Sequence, residues 1–142
     1  MARLDLSVGV ELPARTFGPL SRTDFVRYQG ASGDFNPIHH DEDFARSAGF
    51  DSVFSVGMLQ AGYLATYAAE LFGETNVRRF KVRFREQVWP GDVLTCRGTV
   101  VEVRHDDATG ETSAEVELSV TTQNGATAIL GSATCAIESG RT

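Results

Sequence analysis

Residues 52–69 contain no charged side chain, and Gly57–Phe72, which overlaps them, is apolar or small around nearly its whole helical circumference. Read as a helix, this segment carries one polar stripe, Gln60, Tyr63, Tyr67 and Glu70, at three- and four-residue spacing. A helix that is apolar almost all round cannot lie on a surface and must be wrapped. Its alanines and glycines let another backbone approach closely. A membrane span is the competing reading. Ser52, Ser55, Gln60 and Thr66 weaken the hydropathy, Glu70 ends the run, and no basic cluster flanks it. The wrapped helix is therefore the expected form, with no membrane role.

The material for wrapping follows directly. Four strand patterns occupy about 77–88, 92–104, 111–123 and 126–138. Pro90-Gly91-Asp92 separates the first two, a polar loop runs from His105 to Gly110, and Asn124-Gly125 is a two-residue hairpin signal. Long antiparallel strands twist and coil, and a coiled sheet can curl around one helix. Upstream, the first twenty residues read as one short strand. Ser21-Arg22-Thr23-Asp24 has capping-box spacing and predicts a helix carrying Phe25, Val26 and Tyr28, ended by Gly30 to Gly33. Asp41 to Gly49 predicts a short helix, acidic at its front, with Phe44 and Ala48 inward. The expected architecture is a single α+β domain spanning residues 1–142, a long antiparallel sheet around a central helix.

Composition narrows the function. A formal net charge of −6 argues against nucleic acid as a partner. Cys96 and Cys135 are isolated and read as buried small hydrophobes in a reducing compartment. The first residues, Met1-Ala2-Arg3-Leu4-Asp5, lack the apolar core of a signal peptide, so a cytoplasmic location is expected. The three histidines and two cysteines form no ligand cluster, and no glycine-rich phosphate loop follows a strand. Neither a metal nor a cofactor is expected.

The chemistry concentrates in Ser32-Gly33-Asp34-Phe35-Asn36-Pro37-Ile38-His39-His40-Asp41. Proline has no N–H and pushes the residue before it out of the helical region. On a continuous helix, positions 34 and 39 would point about 140° apart. Only an irregular turn can aim the Asp34 carboxylate and the His39 imidazole at one point, an arrangement suited to acid–base work. The plainer reading is that Asp34 caps the following turn through its own backbone.

These residues resemble the MaoC-like, R-specific enoyl-thioester hydratase and dehydratase family of the hot-dog fold. The resemblance rests on Tyr28, then Gly33-Asp34-Phe35-Asn36-Pro37-Ile38-His39, then Ala45. Gly49-Phe50, Gly57-Met58, Val82-Arg83-Phe84 and Val88-Trp89-Pro90-Gly91-Asp92 extend it over nearly the whole chain. The sequence departs from the family at Val56, where relatives commonly carry histidine before the Gly-Met that opens the central helix.

The resemblance implies reversible hydration of a trans-2-enoyl thioester of coenzyme A or an acyl-carrier protein to the (3R)-3-hydroxyacyl thioester. It implies Asp34 and His39 as the acid–base pair. Gly57 opens the central helix, where the first N–H groups lack partners, and is expected to polarise the thioester carbonyl as an oxyanion donor. A plain tight entry to the helix is the rival for Gly57. Asn36, Val56, Met58, Arg83 and Arg85 are expected around the substrate, with Asn36 acting mainly by holding the loop. His40 is read as structural or exposed, and His105 as a solvated loop residue. Arg79, Lys81, Arg83 and Arg85 alternate with apolar residues, which places four cations on one strand face. That row is either a solvated outer face or a landing strip for coenzyme A phosphates or an acidic carrier. A hot-dog thioesterase is one alternative, for which Glu70 is the only acid on the central helix. An acyl-binding partner subunit of a heteromeric dehydratase is the other. Either way a homodimer or heterodimer through a sheet edge is expected.

Overall fold

The computed structural model describes residues 6–138. Strand β1 (Arg15–Phe17) is followed by helices α1 (Arg22–Ser32), α2 (Glu42–Ser47) and α3 (Gly57–Phe72). Strands β2 (Val77–Phe84), β3 (Leu94–His105), β4 (Thr112–Thr122) and β5 (Thr127–Ile137) complete the chain. They form one antiparallel sheet in the order β1-β3-β4-β5-β2. This is the expected α+β hot-dog layout. The Asn124-Gly125 turn joins β4 to β5, with Gly125 at φ 81°, a value that favours glycine.

Local signals set the element ends. Ser21 and Asp24 form the reciprocal capping box, with the Ser21 N–H donating to the Asp24 carboxylate at 2.8 Å and the Asp24 N–H to Ser21 Oγ at 3.2 Å. Gly33, at φ 80°, ends α1 and redirects the chain. β2 stops at Phe84, four residues short of the expected end. Residues 85–88 leave the strand but stay tied, through the Arg85 N–H to the Ala128 carbonyl and the Ser55 N–H to the Val88 carbonyl. This brings the segment after β2 beside the entry to α3.

The sheet wraps α3. Leu64 and Ala61 of the helix pack with Val100, Val116, Val120, Ile129 and Ala133 of the sheet in one buried core. Gly131 on β5 leaves room for the neighbouring strand, because a Cβ there would lie 2.6 Å from the Lys81 carbonyl oxygen of β2. Cys96 and Cys135 are free and buried in this core. Burial pushes their thiols up, to about 12 and about 11 respectively, so both stay protonated and act as small hydrophobes.

The polar stripe of α3 holds the N-terminal segment. Tyr67, only 1% exposed, donates its hydroxyl to the Pro13 carbonyl at 2.8 Å. Tyr63 stacks on Phe17 with ring centroids 4.5 Å apart. Arg15 reaches both Glu70 carboxylate oxygens at 2.7 Å and also lies over the Phe17 ring. One helix face thus docks β1 against the open side of the sheet.

Helix α2 corrects the sequence reading. Ala45 is fully buried, whereas Phe44 is 43% exposed and Ala48 is exposed. A six-residue helix has too few turns for periodicity to fix its inward face. Its end contacts decide instead: Asp41 caps the Phe44 N–H, and the Phe50 N–H returns to the Ala45 carbonyl.

Tyr67→Phe removes a buried donor and strands the Pro13 carbonyl. We expect a loss of about 1–2 kcal/mol, seen as a lower denaturation midpoint at unchanged slope. Arg15→Ala, which breaks an exposed pair, should cost about 1 kcal/mol or less in the same measurement.

Candidate active site

A buried amide builds the loop between α1 and α2. Gln29, 2% exposed, donates through Nε2 to the backbone carbonyls of Asp34 at 2.8 Å and Asn36 at 3.0 Å. Its Oε1 accepts from His40 Nδ1 at 3.0 Å. His40 is therefore structural, as its sequence context suggests. Asn36 Oδ1 accepts from the Ile38 N–H at 3.1 Å, which starts the 3-10 turn Pro37–His39. Proline at the first position of that turn supplies its fixed φ where no N–H is needed.

The turn delivers His39 to the start of α3. The imidazole is 8% exposed, and Nδ1 lies 2.7 Å from the Phe54 carbonyl oxygen. A carbonyl only accepts, so Nδ1 is the donor, and in the neutral form of this tautomer the lone pair is on Nε2. The Phe54 ring meets the imidazole edge-on at 5.2 Å and packs in turn on Phe50 and Trp89. A hydrogen bond and an aromatic wall therefore both fix the ring orientation.

A cleft of about 150 Å³ lies there, bounded by His39, Ser55, Gly57, Gln60, Phe84 and Arg85 among others. Val56 precedes α3 without a side-chain cap. Neither the Gly57 nor the Met58 N–H finds an acceptor among the described residues. The positive end of the helix thus opens beside His39. A Cβ on Gly57 would sit 3.1 Å from the Phe84 ring, so glycine keeps this mouth open.

The expected site residues divide. His39, Gly57 and Arg85 line the cleft. Asp34 and Asn36 are exposed on the loop, and Asp34 Oδ1 accepts from the Asn36 N–H at 3.2 Å. Among the described residues, Asp34 and His39 share no hydrogen bond or ion pair. The turn-capping role of Asp34 is thus present in the geometry, and its other carboxylate oxygen is left for a further partner. Val56, expected beside the substrate, is 3% exposed and is not among the residues bounding the cleft. Met58 is 53% exposed and outside the cleft lining. Arg83 lies along a separate groove of about 270 Å³ with Lys81 and Leu130.

A larger cavity, about 660 Å³, sits at the other end of α3 around Gly73, Asn76, Arg78 and Glu111. Its main charges, Arg78 and Glu111, are already paired at 2.7 Å, and it holds no histidine or cysteine. The small cleft, by contrast, is bounded by His39. Among the described residues no group of three metal-ligating side chains occurs, and no helix is long and apolar enough to cross a membrane.

Sequence reasoning missed Gln29 and Ser55, and saw in Gln60 only a member of a stripe. Gln29 stands four residues after the buried Phe25, which marks its face as inward. Gln60 is a polar residue in the first turn of an otherwise apolar helix. No local pattern marks Ser55.

The (R)-specific enoyl-CoA hydratase of Aeromonas caviae is 28% identical over 135 residues, covering 94% of this chain and 96% of that protein. Mouse peroxisomal multifunctional enzyme type 2 is 42% identical over 66 residues, 44% of this chain and 9% of that protein. The chain spans about a tenth of the length of the mouse and yeast multifunctional relatives it matches, at 9% of each. The solved (R)-hydratase from A. caviae involved in PHA biosynthesis superposes with a TM-score of 0.79 at 25% identity, over 91% of this chain and 95% of that one. The MaoC-like domain model matches residues 7–124, most of the chain. With the wrapped helix and the Asp–His loop in place, the chain belongs to the MaoC-like domain family.

Proposed function

We propose that this protein catalyses reversible addition of water across a trans-2-enoyl thioester to give the (3R)-3-hydroxyacyl thioester. The observation that carries the reading is the cleft itself. It places a histidine whose Nδ1 is engaged by the Phe54 carbonyl beside a helix start whose first N–H groups have no acceptor among the described residues. Hydration needs both. An O–H bond of water breaks as its oxygen adds to the β-carbon, and the thioester oxygen takes up enolate charge. A proton then adds to the α-carbon, restoring the carbonyl. Nε2 of His39 and the Asp34 carboxylate hold the water and move its proton. The Gly57 N–H faces the thioester oxygen. General acid–base work of this kind contributes on the order of 10²–10⁴-fold.

The relatives support the class: (R)-specific enoyl-CoA hydratases from Aeromonas caviae and Rhodospirillum rubrum match this chain. Thioester hydrolysis fits less well on α3 itself, although Glu86 also bounds the cleft. Glu70, the acid on α3, is engaged by Arg15, roughly 20 Å along the helix from Gly57 at 1.5 Å per residue. A role as partner subunit alone fits less well too, because the chain retains Asp34, His39 and the open helix start. The basic row supports a coenzyme A or carrier-protein handle. Arg79, Lys81, Arg83 and Arg85 are all exposed, and none forms an ion pair among the described residues. Strand β2, at one edge of the sheet, is the place for a second hot-dog chain to add.

Purified protein given crotonyl-CoA should lose enone absorbance without releasing free thiol. Thiol release would establish the thioesterase instead, and activity only with an added partner chain would establish a heteromer. Asp34→Asn and His39→Ala should each lower kcat by about 10²-fold or more while keeping the circular-dichroism spectrum. Full activity in either would remove that residue from the mechanism.

Gly57→Ala should fold, because the half-exposed Phe84 ring can swing aside. Narrowing the cleft mouth should still cost at least about 10-fold in kcat/KM, since misplacing a reacting group by about 1 Å costs on the order of 10²-fold. Replacing Arg83 and Arg85 together by Gln should raise KM several-fold and flatten its dependence on salt. Unchanged values would leave the row as a solvated face.

A further inference from the structure

We propose that the Gln60 side-chain amide is a second donor to the thioester carbonyl oxygen, beside the Gly57 N–H. The inference rests on the hydratase reading above and names a group that reading does not use. Gln60 is 3% exposed, yet it lines the cleft with His39 and Gly57. One end of its amide is committed. Ser55 Oγ lies 2.6 Å from Gln60 Oε1. That separation is short for N–H···O and ordinary for O–H···O, so the amide oxygen faces Ser55 and accepts from its hydroxyl. The nitrogen then faces the other way.

Nε2 makes no hydrogen bond among the described residues. Yet no fully buried side-chain nitrogen or oxygen is left without a partner. Nε2 must therefore reach the cleft surface, since the protein around it supplies no acceptor. At the cleft surface its acceptor is water or a ligand oxygen. Its position fits the role. Gln60 stands one turn after Gly57, and long helical side chains lean back over the turn N-terminal to them. That lean would carry Nε2 toward the part of the cleft that Gly57 lines. Both groups can only donate, whereas His39 Nε2 opposite can accept. The acceptor that suits two donors is the oxygen that gains enolate charge, and water belongs on the histidine side.

The test uses the intact protein with crotonyl-CoA for turnover and 2,4-hexadienoyl-CoA as a spectral probe. A conjugated thioester absorbs further to the red when its carbonyl is polarised. Gln60→Met removes the donor at similar volume. Its kcat should fall by about 10²-fold with KM nearly unchanged, and the red shift of the bound probe should shrink. Gln60→Glu keeps an oxygen for Ser55 and replaces the donor by a carboxylate. Its rate loss should deepen as pH rises and the carboxylate ionises against the enolate. Ser55→Ala frees the amide to rotate and should cost a smaller factor, about 3- to 10-fold.

Thermal melts report folding of each variant. Should Gln60→Met not fold, Gln60→Glu and Ser55→Ala decide the matter. Wild-type protein without hydratase activity overturns the functional reading and this inference with it. Active wild-type protein, with folded Gln60 variants that keep kcat and the full red shift, overturns this inference alone.

Discussion

A helix sheathed by a sheet along its length must still begin somewhere, and its first N–H groups must meet something there. In α3 the preceding residue, Val56, is apolar and supplies no cap. Burying those donors without acceptors would cost about 1–3 kcal/mol each. The fold leaves them at a small cleft instead. The wrapping that stabilises the core therefore also creates an electropositive, partly desolvated opening, where oriented N–H groups act more strongly than in water.

The opposite wall is made by a different kind of interaction. No long element carries His39; a 3-10 turn does, held by one buried glutamine through three hydrogen bonds. A network of this sort is rigid only when every member is satisfied. Among the described residues no fully buried side-chain nitrogen or oxygen lacks a partner, and both ends of the Gln29 amide are engaged. The imidazole is then fixed twice more, by the Phe54 carbonyl and by the aromatic cluster of Phe50, Phe54 and Trp89. The site thus joins a stiff loop on one side to a stiff helix start on the other. Asp34 belongs to the exposed rim of that loop.

Much of this was legible in the residues. The apolar circumference of Gly57–Phe72 forces wrapping, and the alternating runs after it supply the wrapper. Capping and turn signals placed the ends of α1, and Asn124-Gly125 placed the last hairpin. The face of α2 was not legible, because one and a half turns carry too little periodicity against end contacts. The early end of β2 was hidden as well: Arg85 to Val88 read as strand but tie off to Ala128 and Ser55.

The sequence alone determined the fold class, the loop that presents Asp34 and His39, and the helix start at Gly57. Each is written in spacing, proline and glycine positions, or continuous apolarity, which act over a few residues. Tertiary structure decided which of these meet. It put His39, Gly57 and Gln60 on one cleft, buried Val56, and left Met58 outside the cleft. Those outcomes depend on hydrogen bonds between residues distant in the chain, such as His39 to Phe54 and Gln29 to the Asp–His loop. No local pattern encodes them.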